Sequence, residues 1–241
     1  MDWITIYIIA GILILPVFIY GSYCQIKIDK VYDEYIRVNA QSGVCAAEMA
    51  YKMLAKAGIS NVNVVKSNGK LTDCYDPRHR IIKLSKEVYY SSSIAALGVA
   101  AHEVGHAIQH HKKSPLFMVR RAISPFVGFI SRAFLPLVLL GSLFNIMLFL
   151  PTIGYYTVFG SLIFYGASLI FEIVTLPLEF NASKRALEYL KETDTLSDYE
   201  LSKAKQVLSA AAQTYVAGFA STLLYFLRFL SIAMIFAKDR D

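Results

Sequence analysis

The sequence predicts an α+β integral membrane protein that is mainly α-helical, with about four transmembrane helices and a small antiparallel sheet. The chain is 56% hydrophobic and its mean hydropathy is +0.46, which is too apolar for an ordinary soluble domain. Its apolar residues gather in four runs, near 3–23, 125–150, 153–178 and 212–237. Each run is about long enough to cross a roughly 30 Å hydrocarbon core as a helix. We therefore expect residues 1–241 to form a single membrane-embedded domain.

The distribution of positive charge predicts which side of the membrane each segment faces. With four spans, both termini lie on one side, and residues 25–124 and 179–211 lie on the other. That second side carries 20 of the 24 Lys and Arg residues, and the positive-inside rule places it in the cytoplasm. Three cysteines without close pairing fit a reducing compartment. The net charge of +6 comes without a nucleic-acid-binding motif, so no nucleic-acid partner is expected.

Between the first two apolar runs, the sequence predicts two helices and three short strands. SGVCAAEMAYKMLAKAGI has the spacing of an amphipathic helix. Two β-rich runs in NVNVVKSNGKLTDCY flank Asn68-Gly69, a hairpin-turn signal, and RIIKLS offers a third strand over residues 80–84. These strands make up the predicted antiparallel sheet. The pattern from Ser93 to His111 is helical again, and a serine near its start can cap it.

Two further helices connect the soluble segments to the apolar runs. EFNASKRALEYLKE continues the third apolar run as a helix. Ser197 and Glu200 form a capping box, which opens a long helix that enters the fourth run.

HEVGH, residues 102–106, is the motif with the clearest chemistry. On a helix, His102 and His106 are four residues apart and share one face, so both imidazoles can reach one zinc ion. Glu103 stands beside them and can act as general base toward a zinc-activated water. The motif therefore predicts a zincin-type active-site helix next to the sheet. The alternatives are a chance match, in roughly one chain of this size per hundred, or a histidine-rich surface helix.

A catalytic zinc ion usually takes a third protein ligand, and the other histidines are poor candidates for it. His110 continues the same helical face, but three imidazoles at this spacing extend over about 12 Å and cannot converge on one ion. The metzincin pattern is excluded, because Gln109 and Lys112 stand at its later glycine and histidine positions. His79 is expected to be a solvated loop residue.

Glu179 is a different kind of candidate, because the hairpin of spans returns the chain to the side that holds HEVGH. It stands where the third apolar run ends and a helix begins. It could be the third ligand, or a first-turn glutamate that interacts with the helix dipole. The residues alone favour neither interpretation.

Several blocks of the chain together resemble one family, from about residue 25 to the end. These blocks are SGVCAAEMAYKMLAKAGI, LTDCYDPRHRIIKLS, SSSIAALGVAAHEVGHAIQHH and LPLEFNASKRALEYL. They are similar to the YugP-like neutral zinc metallopeptidases, a family of bacterial membrane proteins. One departure is Cys74, where the family often has histidine.

The resemblance implies a gluzincin-type site with one catalytic Zn²⁺ in a multi-pass protein of the bacterial plasma membrane. It implies His102 and His106 as ligands, Glu103 as base and Glu179 as third ligand. Gluzincins commonly place an aspartate four residues after the ligand glutamate. Here that position is Ser183, with Asn181 between, and either side chain could accept a hydrogen bond from a ligating histidine. Alternatively, Ser183 only fills a tight helix contact.

These observations favour a membrane-bound zinc endopeptidase that cleaves peptides or membrane proteins at the cytoplasmic side. RIIKLS is the candidate edge strand for substrate, with Ile81, Ile82 and Lys83 as binding residues, unless it is an ordinary covered strand. The alternative function is a non-enzymatic zinc-binding membrane scaffold or chaperone, which would not need Glu103. A transporter is a weaker candidate, because few polar residues lie within the apolar runs. The oligomeric state and the substrate do not follow from the sequence.

Three charged residues fall within the apolar runs, where an unpaired charge is costly. They are Arg132, Glu172 and Arg228. We expect structural pairing among them rather than a transport path.

Overall fold

The computed structural model describes residues 2–69, 72–129 and 151–238. The second predicted span, 125–150, therefore lies largely outside the described residues. In chain order the elements are α1 (Trp3–Tyr35), α2 (Ala46–Lys56), β1 (Asn63–Ser67), β2 (Cys74–Asp76), β3 (Ile81–Ser85), α3 (Lys86–Tyr89), α4 (Ile94–His111), α5 (115–129), α6 (Pro151–Glu192) and α7 (Asp198–Lys238).

Three of the described helices, α1, α6 and α7, are long and apolar enough to cross a membrane. They contain the first, third and fourth predicted spans. Large apolar side chains on α1, such as Ile12 and Phe18, are about two-thirds exposed, which suits a lipid environment. α6 continues through Pro177 without a break, so the third span and the helix that follows it are one element.

The sheet has three strands but is mixed, and the prediction of an antiparallel sheet is wrong for β1. The strand order is β1-β3-β2; β1 pairs with β3 in parallel, and β2 pairs with β3 antiparallel. The backbone bends at Asn68-Gly69, with a positive φ of 116° at Gly69, but the strands on either side of this bend are not neighbours. The most buried strand, β3, takes the central position, since Ile82 and Leu84 are both fully buried.

The chain forms two compact units. One comprises Met1–Tyr23, Val119–Thr175 and Tyr215–Asp241, and the other comprises Cys24–Met118 and Leu176–Thr214. The second unit nearly coincides with the predicted catalytic segments 25–124 and 179–211. Its core is built from α2, the sheet and α4 around fully buried aliphatic side chains.

The two predicted caps in the second unit are confirmed. Ser93 Oγ accepts a hydrogen bond from the Ala96 N–H at 3.3 Å, at the start of α4. The capping box of α7 is also formed, because the Ser197 N–H donates to Glu200 Oε2 at 2.8 Å and Glu200 N–H donates to Ser197 Oγ at 3.4 Å.

In the first unit, Arg228 finds an aromatic partner. Its Nη2 donates to the Tyr7 hydroxyl at 2.7 Å, and its guanidinium lies over the same ring at 4.5 Å from the centroid. A cation stacked on an aromatic ring in this way is stabilised by the ring quadrupole. Arg132 lies outside the described residues, and pairing of Glu172 with either arginine stays a prediction.

Candidate metal centre

α4 presents the two histidines of HEVGH beside the core of the second unit. Leu97, Ala101 and Val104 on this helix are fully buried and fix its orientation against α2 and the sheet. His102 and His106 lie one turn apart, with ring centroids 4.7 Å apart and ring planes nearly perpendicular.

Glu179 on α6 lies beside both of these imidazoles. Its side chain is almost completely buried, and its Oε2 lies 3.1 Å from His102 Nε2 and 3.3 Å from His106 Nε2. The three residues form a group in which one donor atom from each lies within 4.8 Å of the others. Glu179 is therefore not a solvent-facing first-turn residue, because it lies in the middle of the continuous helix α6.

The donor set fits a zinc ion. In a tetrahedral site with bonds of about 2.0–2.1 Å, two donor atoms lie about 3.3 Å apart, close to the separations between Glu179 and each histidine. Two imidazoles and one carboxylate are also ligands that zinc prefers. A buried carboxylate needs compensation for its lost hydration, which a cation between the three side chains would supply.

Gly105 allows α6 to approach α4. A Cβ added at Gly105 would lie 2.8 Å from the carbonyl oxygen of Ala182 and 3.1 Å from its Cα. Ala182 lies between Glu179 and Ser183 on α6, so this contact sets how close the third donor comes to the histidines. The missing side chain thus makes room for the backbone of α6.

Each histidine has a hydrogen-bond partner on its other ring nitrogen. Ser183 Oγ lies 3.1 Å from His102 Nδ1. Gln109 Oε1 lies 3.0 Å from His106 Nδ1. Asn181 does not contact a histidine; its Oδ1 accepts hydrogen bonds from Gln109 Nε2 at 3.1 Å and Arg185 Nε at 2.8 Å. It reaches His106 only through Gln109.

Glu103 lies next to the donor group but outside it. Its Oε2 accepts a hydrogen bond of 2.7 Å from the Tyr75 N–H, on β2. The Tyr75 hydroxyl in turn lies 2.7 Å from His110 Nδ1, and Phe117 stacks on the His110 ring at 5.2 Å between centroids. β2 is thereby held against α4, with its backbone beside the carboxylate of Glu103.

The charges around the group perturb several pKa values. Burial lowers the pKa of His106, but the hydrogen bond and negative charge of Glu179 outweigh burial, so the pKa is raised. Burial raises the pKa of Asp73, and the negative charge of Glu103 adds to this increase. Burial likewise raises the pKa of the Cys74 thiol, again with a contribution from Glu103.

The structure contradicts the prediction that RIIKLS is an edge strand. β3 is central and hydrogen-bonded on both sides, so Ile81, Ile82 and Lys83 offer no free strand edge to a substrate. Ile82 is fully buried in the core, and Lys83 Nζ lies 3.4 Å from Asp76 Oδ2. Ile82 and Leu84 are fully buried, which fits the central position of this strand.

Two residues of the site, Gln109 and Tyr75, were not predicted from the sequence, and only the first has a local signal. Gln109 lies three residues after His106 on α4, a spacing at which helical side chains meet. Tyr75 gave no such signal, because its contact with Glu103 depends on where β2 packs in three dimensions. His79 is exposed and bonds only locally, to Asp76 at 2.8 Å, as expected for a loop residue.

The chain combines helices long and apolar enough to cross a membrane with a His-His-Glu donor group. The HEVGH helix supplies the two histidines, and α6 supplies the buried glutamate. This combination defines the class of protein to which the chain belongs. A family profile described as "Putative neutral zinc metallopeptidase" matches residues 10–234, so the chain belongs to this family. A curated relative, the "Putative membrane protease YugP" of Bacillus subtilis (strain 168), is 39% identical over 219 residues, covering 91% of this chain and 92% of the relative. No solved structure matches the chain.

Proposed function

We propose that this protein is a membrane-bound, zinc-dependent endopeptidase that uses Glu103 as its general base. The observation that carries the proposal is the convergence of His102, His106 and Glu179, with Glu103 beside them but outside the donor group. Structural zinc sites are usually closed by four protein ligands, whereas catalytic sites have three and keep one position open. A group of three donors with an adjacent carboxylate therefore supports catalysis better than a structural role.

The chemistry follows from the positions of the side chains. Zinc held by the three donors would lower the pKa of a water molecule and polarise the carbonyl of the scissile peptide bond. Glu103 takes a proton from the attacking water and passes it to the leaving amine. The Tyr75 N–H occupies Oε2 of Glu103, and no described residue donates a hydrogen bond to Oε1, which is left to receive that proton.

The structure supports β2, rather than β3, as the strand that receives substrate. In the described part of the chain β2 pairs only with β3, and the Tyr75 N–H on its other edge points to Glu103. An extended peptide that adds to this edge through main-chain groups other than the Tyr75 N–H would lie beside the base. Membership of a peptidase family supports peptides as the substrate class.

We place the site on the cytoplasmic side of the plasma membrane. This assignment rests on the basic residues of segments 25–124 and 179–211, which resist translocation. Substrates would then be the cytoplasmic loops and tails of membrane proteins, in preference to secreted proteins.

The proposed role of Glu103 is tested by zinc analysis and peptide cleavage with detergent-purified protein, wild type against Glu103→Gln. The variant should keep its zinc, because Glu103 is not a donor, and lose cleavage by a factor of at least about 100. Glu192→Gln, which changes an exposed carboxylate paired with Lys56, is the matched control and should keep both properties. Loss of zinc in Glu103→Gln would make Glu103 a ligand, and full activity would require another base. A wild-type protein that binds zinc but cleaves no peptide would favour a scaffold or chaperone.

A further inference from the structure

Gln109 is a buried polar residue on α4 with three hydrogen bonds, one within its own helix and two that connect α4 to α6. Its side chain is 1% exposed, and its Oε1 lies 3.0 Å from His106 Nδ1. Its Nε2 donates to the backbone carbonyl of Leu178 at 2.9 Å and to Asn181 Oδ1 at 3.1 Å. Leu178 directly precedes Glu179, so the same amide contacts one metal-binding histidine and the backbone next to the third donor.

The orientation of this amide follows from partners whose roles are unambiguous. The Leu178 carbonyl can only accept, so the group that faces it must be the NH₂ of Gln109. Arg185 Nε can only donate, so it requires the oxygen of Asn181, which leaves that oxygen as an acceptor for Gln109 as well. Gln109 Oε1 therefore faces His106, and it can only accept.

An acceptor at Nδ1 determines which nitrogen of His106 can bind a metal. The imidazole must carry a hydrogen on Nδ1 to make this bond, so Nε2, which lies 3.3 Å from Glu179 Oε2, is the nitrogen that can lose its proton and bind a metal ion. The partner of His102 is less restrictive, because the Ser183 hydroxyl can donate or accept.

We propose that Gln109 is a positioning residue that accepts the Nδ1 hydrogen of His106, so that Nε2 faces the metal site, and holds the Glu179 segment of α6 in register with α4. The proposal rests on the zinc site of the proposed function and deepens it. Partners of this kind contribute about 10–100-fold to metal affinity or activity in zinc proteins. Removing the amide should therefore weaken zinc binding by that factor and leave the Nδ1 hydrogen without its acceptor.

The test combines two measurements on full-length protein labelled with ¹⁵N-histidine. Long-range ¹H–¹⁵N spectra of the zinc-loaded protein report the Nδ1–H of His106 and its exchange with solvent. Competition with a chromophoric chelator reports zinc affinity. In wild type we expect a slowly exchanging Nδ1–H, because Gln109 Oε1 accepts it. Gln109→Met should speed this exchange and lower zinc affinity by about 10–100-fold.

Two further variants separate positioning from general damage to the fold. Gln109→Glu keeps an acceptor for His106 and should retain the slowly exchanging Nδ1–H, even where the loss of the Leu178 contact weakens zinc binding. Gln206→Met, at an exposed glutamine whose described contact is the Tyr35 hydroxyl at 3.4 Å, should change neither measurement. If Gln109→Met does not fold, the wild-type and Gln109→Glu spectra still show whether the Nδ1 hydrogen is held by an acceptor at position 109.

The results that would refute the role of Gln109 differ from those that would refute the proposed peptidase function. A rapidly exchanging Nδ1–H of His106 in the zinc-loaded wild type would overturn the positioning role, and so would a Gln109→Met protein with unchanged exchange and zinc affinity. A protein that binds zinc without cleaving peptides would refute the peptidase alone. A wild type that binds no zinc would refute the proposed function, and with it the role of Gln109 toward a metal.

Discussion

Replacing Gly105 with alanine should weaken zinc binding, because the added methyl group meets the backbone of α6. The new Cβ would lie 2.8 Å from Ala182 O, 3.1 Å from Ala182 Cα and 3.3 Å from Ala182 C, whereas ordinary contacts begin at 3.4 Å. Relief of the closest contact requires a movement of about 0.6 Å, and backbone atoms cannot rotate away as a flexible side chain can. The movement displaces the segment that carries Glu179.

The expected magnitudes follow from that displacement. Overpacking of this kind costs about 1–3 kcal/mol, and alanine in place of a helical glycine returns about 1 kcal/mol, so the net loss of stability is about 0–2 kcal/mol. Zinc–ligand distances tolerate deviations of only about 0.2 Å, which is smaller than the required movement. Zinc affinity should therefore fall by at least about tenfold, a larger effect than the change in stability.

Gly98→Ala is the matched control on the same helix. A Cβ at Gly98 would meet Ala204 Cβ at 3.7 Å, an ordinary contact, so this variant gains the helix preference of alanine without a clash. The assay is chelator competition for zinc together with thermal unfolding in detergent. For a chain of this size, 1 kcal/mol corresponds to about 2–4 °C in Tm. Gly98→Ala should keep its zinc affinity and unfold at a slightly higher temperature. Equal zinc affinity and equal stabilisation in both variants would refute the close approach of α6 to Gly105.

Two further predictions concern pH and topology. Zinc affinity should fall as the pH drops below neutrality, because protons compete for the imidazoles and the pKa of metal-free His106 is raised; a pH-independent affinity between pH 5 and about 8 would contradict histidine ligation. In intact cells, after replacement of the native cysteines, a cysteine introduced near Asp241 should react with an impermeant thiol reagent, whereas one near Lys112 should not. The reverse labelling pattern would move the site and its substrates outside the cytoplasm.

The helical part of the fold could be predicted because its signals are local. Apolar runs define the long helices, and Ser93 and the Ser197–Glu200 box mark helix starts by contacts within one turn. The order of the strands depends on long-range pairing, which sequence spacing does not report. The chain bends at Asn68-Gly69, but burial of Ile82 and Leu84 places β3 between the strands on either side of this bend.

The residues of the candidate site also fall into those with a local sequence signal and those whose position depends on tertiary packing. His102, Glu103 and His106 share one helix, so their spacing alone indicates a metal site with an adjacent glutamate. Glu179 was ambiguous until the packing of α6 on α4 placed it 3.1 Å from His102. The Tyr75 contact with Glu103 depends on the position of an edge strand, which the predicted hairpin had placed incorrectly.

The most direct test of the central claim is an anomalous difference map at the zinc absorption edge, from crystals of the zinc-loaded protein. We predict one peak about 2.0–2.2 Å from His102 Nε2, His106 Nε2 and a carboxylate oxygen of Glu179, with Glu103 beyond bonding distance. A peak ligated by Glu103, or one that excludes Glu179, would contradict the proposed division between metal ligands and general base.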